Sequence, residues 1–73
     1  MVLVKLYAWF RTGRAKELEV EWHEGLTAGE IIDGLGIRRQ DVQILLINGR
    51  HQTPETVMEE GQKLLLFPPV AGG

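Results

Sequence analysis

The chain has 73 residues, of which 44% are hydrophobic and 25% are charged, and its formal net charge at pH 7 is −2. These values are typical of one small folded domain, and the content of branched aliphatic residues argues against disorder. No apolar run is long enough to span a membrane. The absence of cysteine excludes disulfides, zinc–thiolate sites and thiol catalysis. No basic segment precedes an apolar stretch at the start, so we expect no secretory signal and a cytoplasmic protein.

The first predicted element is a β-strand from Val2 to Phe10. Its alternating residues form two sides, which are Val2, Val4, Leu6, Ala8 and Phe10 on one and Leu3, Lys5, Tyr7 and Trp9 on the other. The second side is apolar enough to be either partly covered or a contact patch. A turn at residues 11–14 and an alternating segment at 18–22 then predict a half-exposed antiparallel partner strand, which completes a hairpin.

A capped helix is predicted to begin at Ala28. Thr27 and Glu30 have the spacing of a capping box, which satisfies backbone donors at a helix N-terminus. Apolar residues at helical spacing predict its buried stripe, which comprises Ile31, Ile32 and Leu35. Gly34 and Gly36 limit the helix to two or three turns.

Two later segments are predicted to be strands buried on both faces, because each is a nearly continuous apolar run. The first, at 43–47, ends at the turn signal Asn48-Gly49. The second, at 63–67, ends at Pro68-Pro69, since proline cannot donate to a strand ladder. Between them, Thr53-Pro54-Glu55 is predicted to form a capped single turn or an irregular loop.

The order of these elements predicts an α+β fold, in which one helix packs across a mixed sheet of four to five strands. Because the first and last strands are both strongly apolar, we expect them to lie side by side and parallel in the middle of the sheet, as in a β-grasp fold. On this interpretation residues 1–67 form the domain. Residues 68–73 form a flexible C-terminal tail whose root is fixed to the most rigid strand.

No side-chain pattern in the sequence is typical of a catalytic, metal or nucleotide site. His23 and His51 belong to no ligand or nucleophile-activating spacing, and acidic pairs such as Glu19 and Glu21 are better explained as solvated charges. The segment 34–36 lacks the rest of a phosphate-binding loop. The net charge and the absence of a Lys/Arg cluster argue against nucleic acid. We therefore expect this chain itself to bind no cofactor or metal.

The C-terminal sequence is the remaining candidate for chemistry. It ends in Gly72-Gly73, and two glycines can enter a narrow active site where the terminal carboxyl is the reacting group. The alternative is a frayed end without function.

The segment Phe67-Pro68-Pro69-Val70-Ala71-Gly72-Gly73 is similar to the terminus of the small, sulfur-carrying subunit of molybdopterin synthase. That subunit belongs to the MoaD/ThiS family of ubiquitin-like proteins. Asn48-Gly49-Arg50 and Glu60-Gly61-Gln62-Lys63-Leu64 resemble two further motifs of the same family, so the resemblance extends more weakly over most of the chain.

The resemblance implies a sulfur carrier rather than an enzyme. In the family, a ubiquitin-activating-type enzyme uses ATP to adenylate the terminal glycine, and a sulfur donor then displaces AMP to leave a thiocarboxylate. The tail inserts into the large subunit of the synthase, and its sulfur passes to a pterin precursor of the molybdenum or tungsten cofactor. The implied partners are the activating enzyme, the sulfur donor and the large subunit.

By matching position, Gly73 is the residue that is adenylated and thiocarboxylated, and Gly72 keeps the approach to it open. Val70 and Ala71 are expected to pack along the partner's channel, while Pro68-Pro69 stiffens the exit from the domain. For Phe67, partner contact and a place in the core are both open. A sheet face that includes Leu3, Tyr7 or Trp9 is a weaker docking candidate.

Other functions remain open at this point. The same class of carrier serves thiamine thiazole or another thiolated product, although the two prolines favour molybdopterin. A ubiquitin-like modifier would be conjugated through Gly73 to lysines of target proteins, and a non-covalent β-grasp interaction module would not use the glycines at all.

Overall fold

The computed structural model describes residues 1–69 as one five-stranded mixed sheet with an α-helix packed across it. The strands are β1 (Val2–Leu6), β2 (Glu17–Val20), β3 (Ile44–Ile47), β4 (Arg50–His51) and β5 (Lys63–Phe67), and the helix is α1 (Ala28–Gly34). The strand order is β2-β1-β5-β3-β4. The predicted α+β, β-grasp arrangement is confirmed.

The two strands in the middle of the sheet are β1 and β5, and they run parallel as predicted. Their register extends from Leu3 opposite Lys63 to Leu6 opposite Leu66. On the outer sides, β1 pairs antiparallel with β2 and β5 pairs antiparallel with β3. A parallel pair needs a crossover connection, and the intervening chain with α1 supplies it.

The hydrophobic core lies between this sheet and α1. Alternate strand residues point into it, and five of them have 0% exposed surface, namely Val2, Val4, Leu6, Leu64 and Leu66. The helix contributes Ile31 and Ile32, which are 3% and 0% exposed. Full burial of such a side chain stabilises the fold by about 1.5–3 kcal/mol, so the residues on this face of the sheet are those whose truncation costs most stability.

The helix begins at Ala28, as its capping box predicts. Thr27 Oγ1 accepts a hydrogen bond from the Glu30 backbone N–H at 3.2 Å, and Glu30 Oε1 accepts one from the Thr27 N–H at 2.9 Å. The helix ends at Gly34 after two turns, and Gly36 follows with a φ of +75°. That left-handed conformation suits glycine and closes the C-terminus.

The first strand is shorter than predicted, because β1 ends at Leu6. Ala8–Arg11 forms a 3₁₀ turn in which Ala8 has a φ of +52°. The Leu6 carbonyl accepts a hydrogen bond from Arg11 Nε at 2.8 Å, which holds the turn against the end of the strand. Phe10 is still fully buried, so the inward direction predicted for it is correct although its secondary structure is not.

The partner strand also differs from its prediction, since β2 covers Glu17–Val20 and stops before Trp22. Trp22 instead turns back towards the core, and its Nε1 donates a hydrogen bond to the Met58 carbonyl at 2.9 Å. Leu18 and Val20 are half-buried while Glu17 and Glu19 are exposed, as predicted for an antiparallel strand with one solvent-exposed face.

The prediction that the two later strands are buried on both faces is wrong. Leu45 and Ile47 of β3 are buried, whereas Leu46 is half-buried and Ile44 is 36% exposed. In β5, Leu65 is likewise only half-buried. The physical reason is that α1 covers one face of the sheet and leaves these side chains on the other.

Two turns complete the described part of the chain. Asn48 and Gly49 have φ values of +50° and +84°, so the predicted turn joins β3 to β4 as a tight hairpin. At the other predicted turn, the Thr56 N–H donates to the Thr53 carbonyl at 3.0 Å. Within residues 1–69, no helix has the length and apolar character needed to cross a membrane.

Candidate functional site

The tail root, by which we mean the end of β5 at Leu66 and Phe67 together with Pro68, is held at the centre of the sheet. On one side the Tyr7 N–H donates to the Leu66 carbonyl at 3.2 Å, and on the other the Gln43 N–H donates to the Phe67 carbonyl at 2.8 Å. Pro68 is buried and Pro69 is exposed. The chain therefore leaves the sheet from a strand that is hydrogen-bonded on both edges.

Four of the predicted site residues, which are Val70, Ala71, Gly72 and Gly73, lie outside the described residues. Their proposed places in a partner's channel, and the activation of the terminal glycine, stay predictions.

Phe67 is not part of the hydrophobic core, which lies between the sheet and α1. Its ring stacks on that of Tyr7, with centroids 4.2 Å apart and planes 10° from parallel. The Arg11 guanidinium lies 5.3 Å from the centre of the Tyr7 ring, a distance at which a cation is attracted to the ring face. The three side chains form one half-buried to exposed cluster beside the tail root.

This cluster belongs to the sheet face turned away from α1, which we call the open face. Because paired strand residues share a face, the register assigns its apolar residues, which are Leu3, Tyr7, Ile44, Leu46, Leu65 and Phe67. Lys5 lies among them, between Leu3 and Tyr7 on β1 and beside Leu65. The other charged or titratable side chains lie at their margin, namely Glu17, Glu19, His51 and Lys63. An apolar centre with a polar rim is typical of a protein interaction surface.

The predicted docking candidates separate in the structure. Leu3 and Tyr7 lie on the open face, whereas Trp9 lies in the 3₁₀ turn, where it is 48% exposed and makes an edge contact with Phe10 at 4.9 Å. Sequence alternation placed the three together because it carried the first strand too far.

A positively charged recess of about 240 Å³ opens next to the tail root. It is lined by Lys5, Tyr7, Arg11, Lys16 and Glu17. Lys5 Nζ lies 3.6 Å from Glu17 Oε2, so one of three cations is partly compensated and the recess keeps a positive excess. Such a surface favours acidic partner groups. The sequence shows no Lys/Arg cluster here, because nothing in it indicates that the first hairpin gathers these side chains around Tyr7.

An ion pair between Asp33 and Arg39 lies away from this cluster. Arg39 donates to both carboxylate oxygens of Asp33, at 3.1 and 3.0 Å, and these hydrogen bonds lower the pKa of Asp33 and raise the pKa of Arg39. Both side chains are exposed, on the last turn of α1 and just after it. This ion pair stabilises the local surface and has no geometric relation to the tail root.

The histidines lie apart as well. His23 and His51 are both exposed, and His23 Nδ1 lies 3.0 Å from the Glu24 carbonyl. In the part of the chain that the structure describes, no three His, Cys, Asp or Glu side chains are arranged to hold a metal ion.

The ThiS family model matches residues 4–73. Among solved structures, the crystal structure of SAMP1 from Haloferax volcanii has a TM-score of 0.77 and 25% identity, and the match covers 99% of this chain and 98% of that one. A Pyrococcus furiosus protein assigned as molybdopterin converting factor, subunit 1, has a TM-score of 0.75 and 28% identity, with 94% and 97% covered. The solution structure of the Haloferax volcanii HVO 2177 protein has a TM-score of 0.72 and 27% identity, with 99% and 85% covered. A search of curated proteins gave no match.

Proposed function

The chain belongs to the ThiS family of ubiquitin-like sulfur carriers, and on that premise we propose that it carries sulfur as a C-terminal thiocarboxylate on Gly73 for molybdopterin synthesis. Members of this family are small carrier proteins rather than catalytic enzymes. The observation that carries the proposal is the position of β5, a central strand hydrogen-bonded on both edges that leads directly into the glycine-terminated sequence.

The chemistry begins with an unreactive group. A carboxylate delocalises its charge and has no good leaving group, so it must be activated before sulfur can be attached. In the proposed first step a carboxylate oxygen of Gly73 attacks the α-phosphorus of ATP and pyrophosphate leaves. In the second step hydrosulfide (HS⁻) supplied by the sulfur donor attacks the acyl carbon, AMP leaves, and loss of the S–H proton gives the thiocarboxylate. The chain contains no cysteine, so the sulfur comes from a separate donor.

Both steps are assigned to partners, because this chain offers only the carboxyl group. The activating enzyme would bind ATP, and the large subunit of the synthase would bind the pterin precursor that receives the sulfur. Chain geometry limits how far away these active sites can be. The four residues after Pro69 span at most about 14 Å, so each partner must dock close to the tail root.

The open face supports that docking, since it is the apolar surface adjacent to the tail root. Phe67 and Tyr7 give it a flat aromatic contact, and the recess beside them offers Lys5, Arg11 and Lys16 to acidic partner groups. We propose that the activating enzyme and the large subunit use this surface in turn, which makes their binding mutually exclusive.

A second candidate function is favoured by the similarity to SAMP1, which is also described as small archaeal modifier protein 1. In that case the activated Gly73 carbonyl would be attacked by a lysine amine of a target protein, with AMP or a thiol leaving and an isopeptide bond forming. The same tail and the same activation would serve both outcomes.

Intact mass spectrometry after incubation with the cognate activating enzyme, ATP and a sulfur donor tests the proposal. We expect an oxygen-to-sulfur mass change localised to Gly73, lost when Gly73 is deleted and strongly reduced in Gly72→Ala, whose methyl group narrows the approach. Isopeptide conjugates on lysines would favour the modifier. The covalent proposal fails if neither product forms, or if Gly72→Ala is activated normally.

The receiving pathway is tested with the thiocarboxylated protein. We expect conversion of the pterin precursor when the large subunit is added. Sulfur transfer that occurs only with a thiazole-forming enzyme would assign the carrier to thiamine instead.

A further inference from the structure

A second apolar surface lies at the edge of the sheet, in a groove between β2 and α1. The groove has a volume of about 340 Å³, and its apolar lining includes Leu18, Val20, Ile31 and Leu35. Glu19 and Glu30 also line it, and both are exposed. It is separate from the tail root, because β1 lies between β2 and β5.

The backbone of β2 is open along this groove. Within residues 1–69, β1 is the only strand beside it. In an antiparallel pair, every second residue of a strand points its backbone N–H and C=O groups at the same neighbouring strand. The Leu6 N–H donates to the Lys16 carbonyl at 2.9 Å, so the backbone groups of Leu18 and Val20 also point to β1. The backbone groups of Glu17 and Glu19 therefore face away from the sheet. Such an edge is a template for an added strand.

The side chains define what that added strand must look like. Residues opposite Glu17 and Glu19 would share their face of the sheet and meet two exposed carboxylates. Glu19 supplies the main attraction for a basic residue, because Glu17 is already partly compensated by Lys5 at 3.6 Å. The alternate residues would point to the other face and enter the groove, beside Leu18 and Val20. A complementary segment thus alternates basic and apolar residues.

We propose that β2 binds an extended segment of a partner protein in which Lys or Arg alternates with apolar residues, by strand addition at the sheet edge. A second copy of this chain fits less well. Antiparallel pairing of two β2 strands would place the acidic residues of one copy opposite those of the other, and like charges directly opposite destabilise a pair.

Gly34 provides a steric test of the groove. It lines the groove at the end of α1, and a Cβ built on it would meet no atom within 4 Å. A Cβ at this position therefore stands in open space beside the groove, and the helix propensity of leucine is higher than that of glycine. Gly34→Leu should fill the groove while the fold is retained, which circular dichroism and thermal unfolding check.

The probe is an acetylated and amidated peptide of seven residues that alternates lysine and valine, titrated into the ¹⁵N-labelled protein. We expect saturable amide shifts at Glu17, Glu19 and the end of α1. Gly34→Leu should weaken binding by about tenfold or more, because the leucine side chain would exclude two valine side chains of the peptide from the groove. Glu19→Lys should weaken it by about fivefold, since attraction becomes repulsion.

The matched controls are Gly34→Ala, which leaves most of the groove open, and Glu55→Lys, which makes the same charge change at an exposed loop residue. Both should bind as the unmodified protein does. A chain without Gly73 should also bind equally, so failure of the thiocarboxylate proposal leaves this one standing.

Several results would overturn the inference. They are the absence of saturable shifts, equal binding of a peptide of the same composition with its valines contiguous, shifts centred on Leu65 and Phe67, and unchanged affinity in Gly34→Leu. A concentration-dependent dimer that shifts the β2 amides without peptide would assign the edge to a second copy and overturn it too.

Discussion

The two faces of the sheet are built from the same strands, yet they present opposite surfaces. Towards α1, Leu64 and Leu66 have no exposed surface, whereas Leu65 between them is half-buried on the open face. Because strand residues alternate, neighbouring positions in the sequence contribute to separate properties of the molecule. One set stabilises the fold, and the other is left available for binding.

The largest expected effect is a difference in the free energy of unfolding between truncations on the two faces of the sheet. Leu66→Ala should lower the free energy of unfolding by about 2–5 kcal/mol, because it leaves a cavity under α1. Leu65→Ala should lower it by less, about 1–2 kcal/mol, since its side chain is partly exposed to water and faces away from α1. Urea denaturation of the two variants measures the difference. Equal losses would show that the open face stabilises the fold as the core does.

The next effect separates the faces by binding. Phe67→Ala removes the stacked ring at the tail root and should reduce kcat/KM for adenylation by the activating enzyme about tenfold, as loss of an aromatic interface anchor does. Pyrophosphate release measures the rate. Trp9→Ala is the matched control, because Trp9 is aromatic and exposed but lies off the sheet. A similar loss in both variants would argue against docking on the open face.

A smaller effect is expected from the helix cap. Thr27→Ala removes the acceptor for the Glu30 N–H and should cost about 1 kcal/mol of stability, with Thr27→Ser restoring most of it. The KM for the carrier in adenylation should stay unchanged, because the cap lies on the covered side of the sheet. A raised KM in a folded Thr27→Ala variant would show that the two faces are coupled.

The smallest effect concerns the ion pair on α1. Arg39 lowers the pKa of Asp33 in the folded state, so the pair stabilises the fold at a pH above the ordinary carboxyl value, and this contribution is lost as the pH falls through the lowered pKa. Arg39→Ala should return the pKa of Asp33 towards its ordinary value in an NMR titration. Arg38→Ala, which breaks the contact to Asp41 instead, should leave it unchanged.

Local signals in the sequence predicted much of the fold. The capping box located the start of α1, because both of its hydrogen bonds form between residues three positions apart. The apolar character of the first and last strands predicted their central parallel pairing. These features depend on residue type and short spacing, which a single sequence contains.

The features that the sequence did not predict depend on contacts between residues far apart in the chain. Phe10 points inward from a strand and from a 3₁₀ turn alike, so alternation could not locate the end of β1. The apolar run in β5 predicted burial on both faces, because a sequence does not show whether its own chain covers a face. The stacking of Tyr7 on Phe67 requires the register of β1 against β5, and the groove at Gly34 requires the spacing of α1 from β2.

The register that pairs Leu3 with Lys63 also bears on the order of folding. This contact closes a loop that contains most of the chain, and contacts between distant residues slow folding because the entropy of loop closure opposes them. The central pair therefore forms only once β5 is available, and the tail root is set in place with it. An activating enzyme that docks on the open face would then adenylate only folded molecules, because the open face does not exist before β1 and β5 pair.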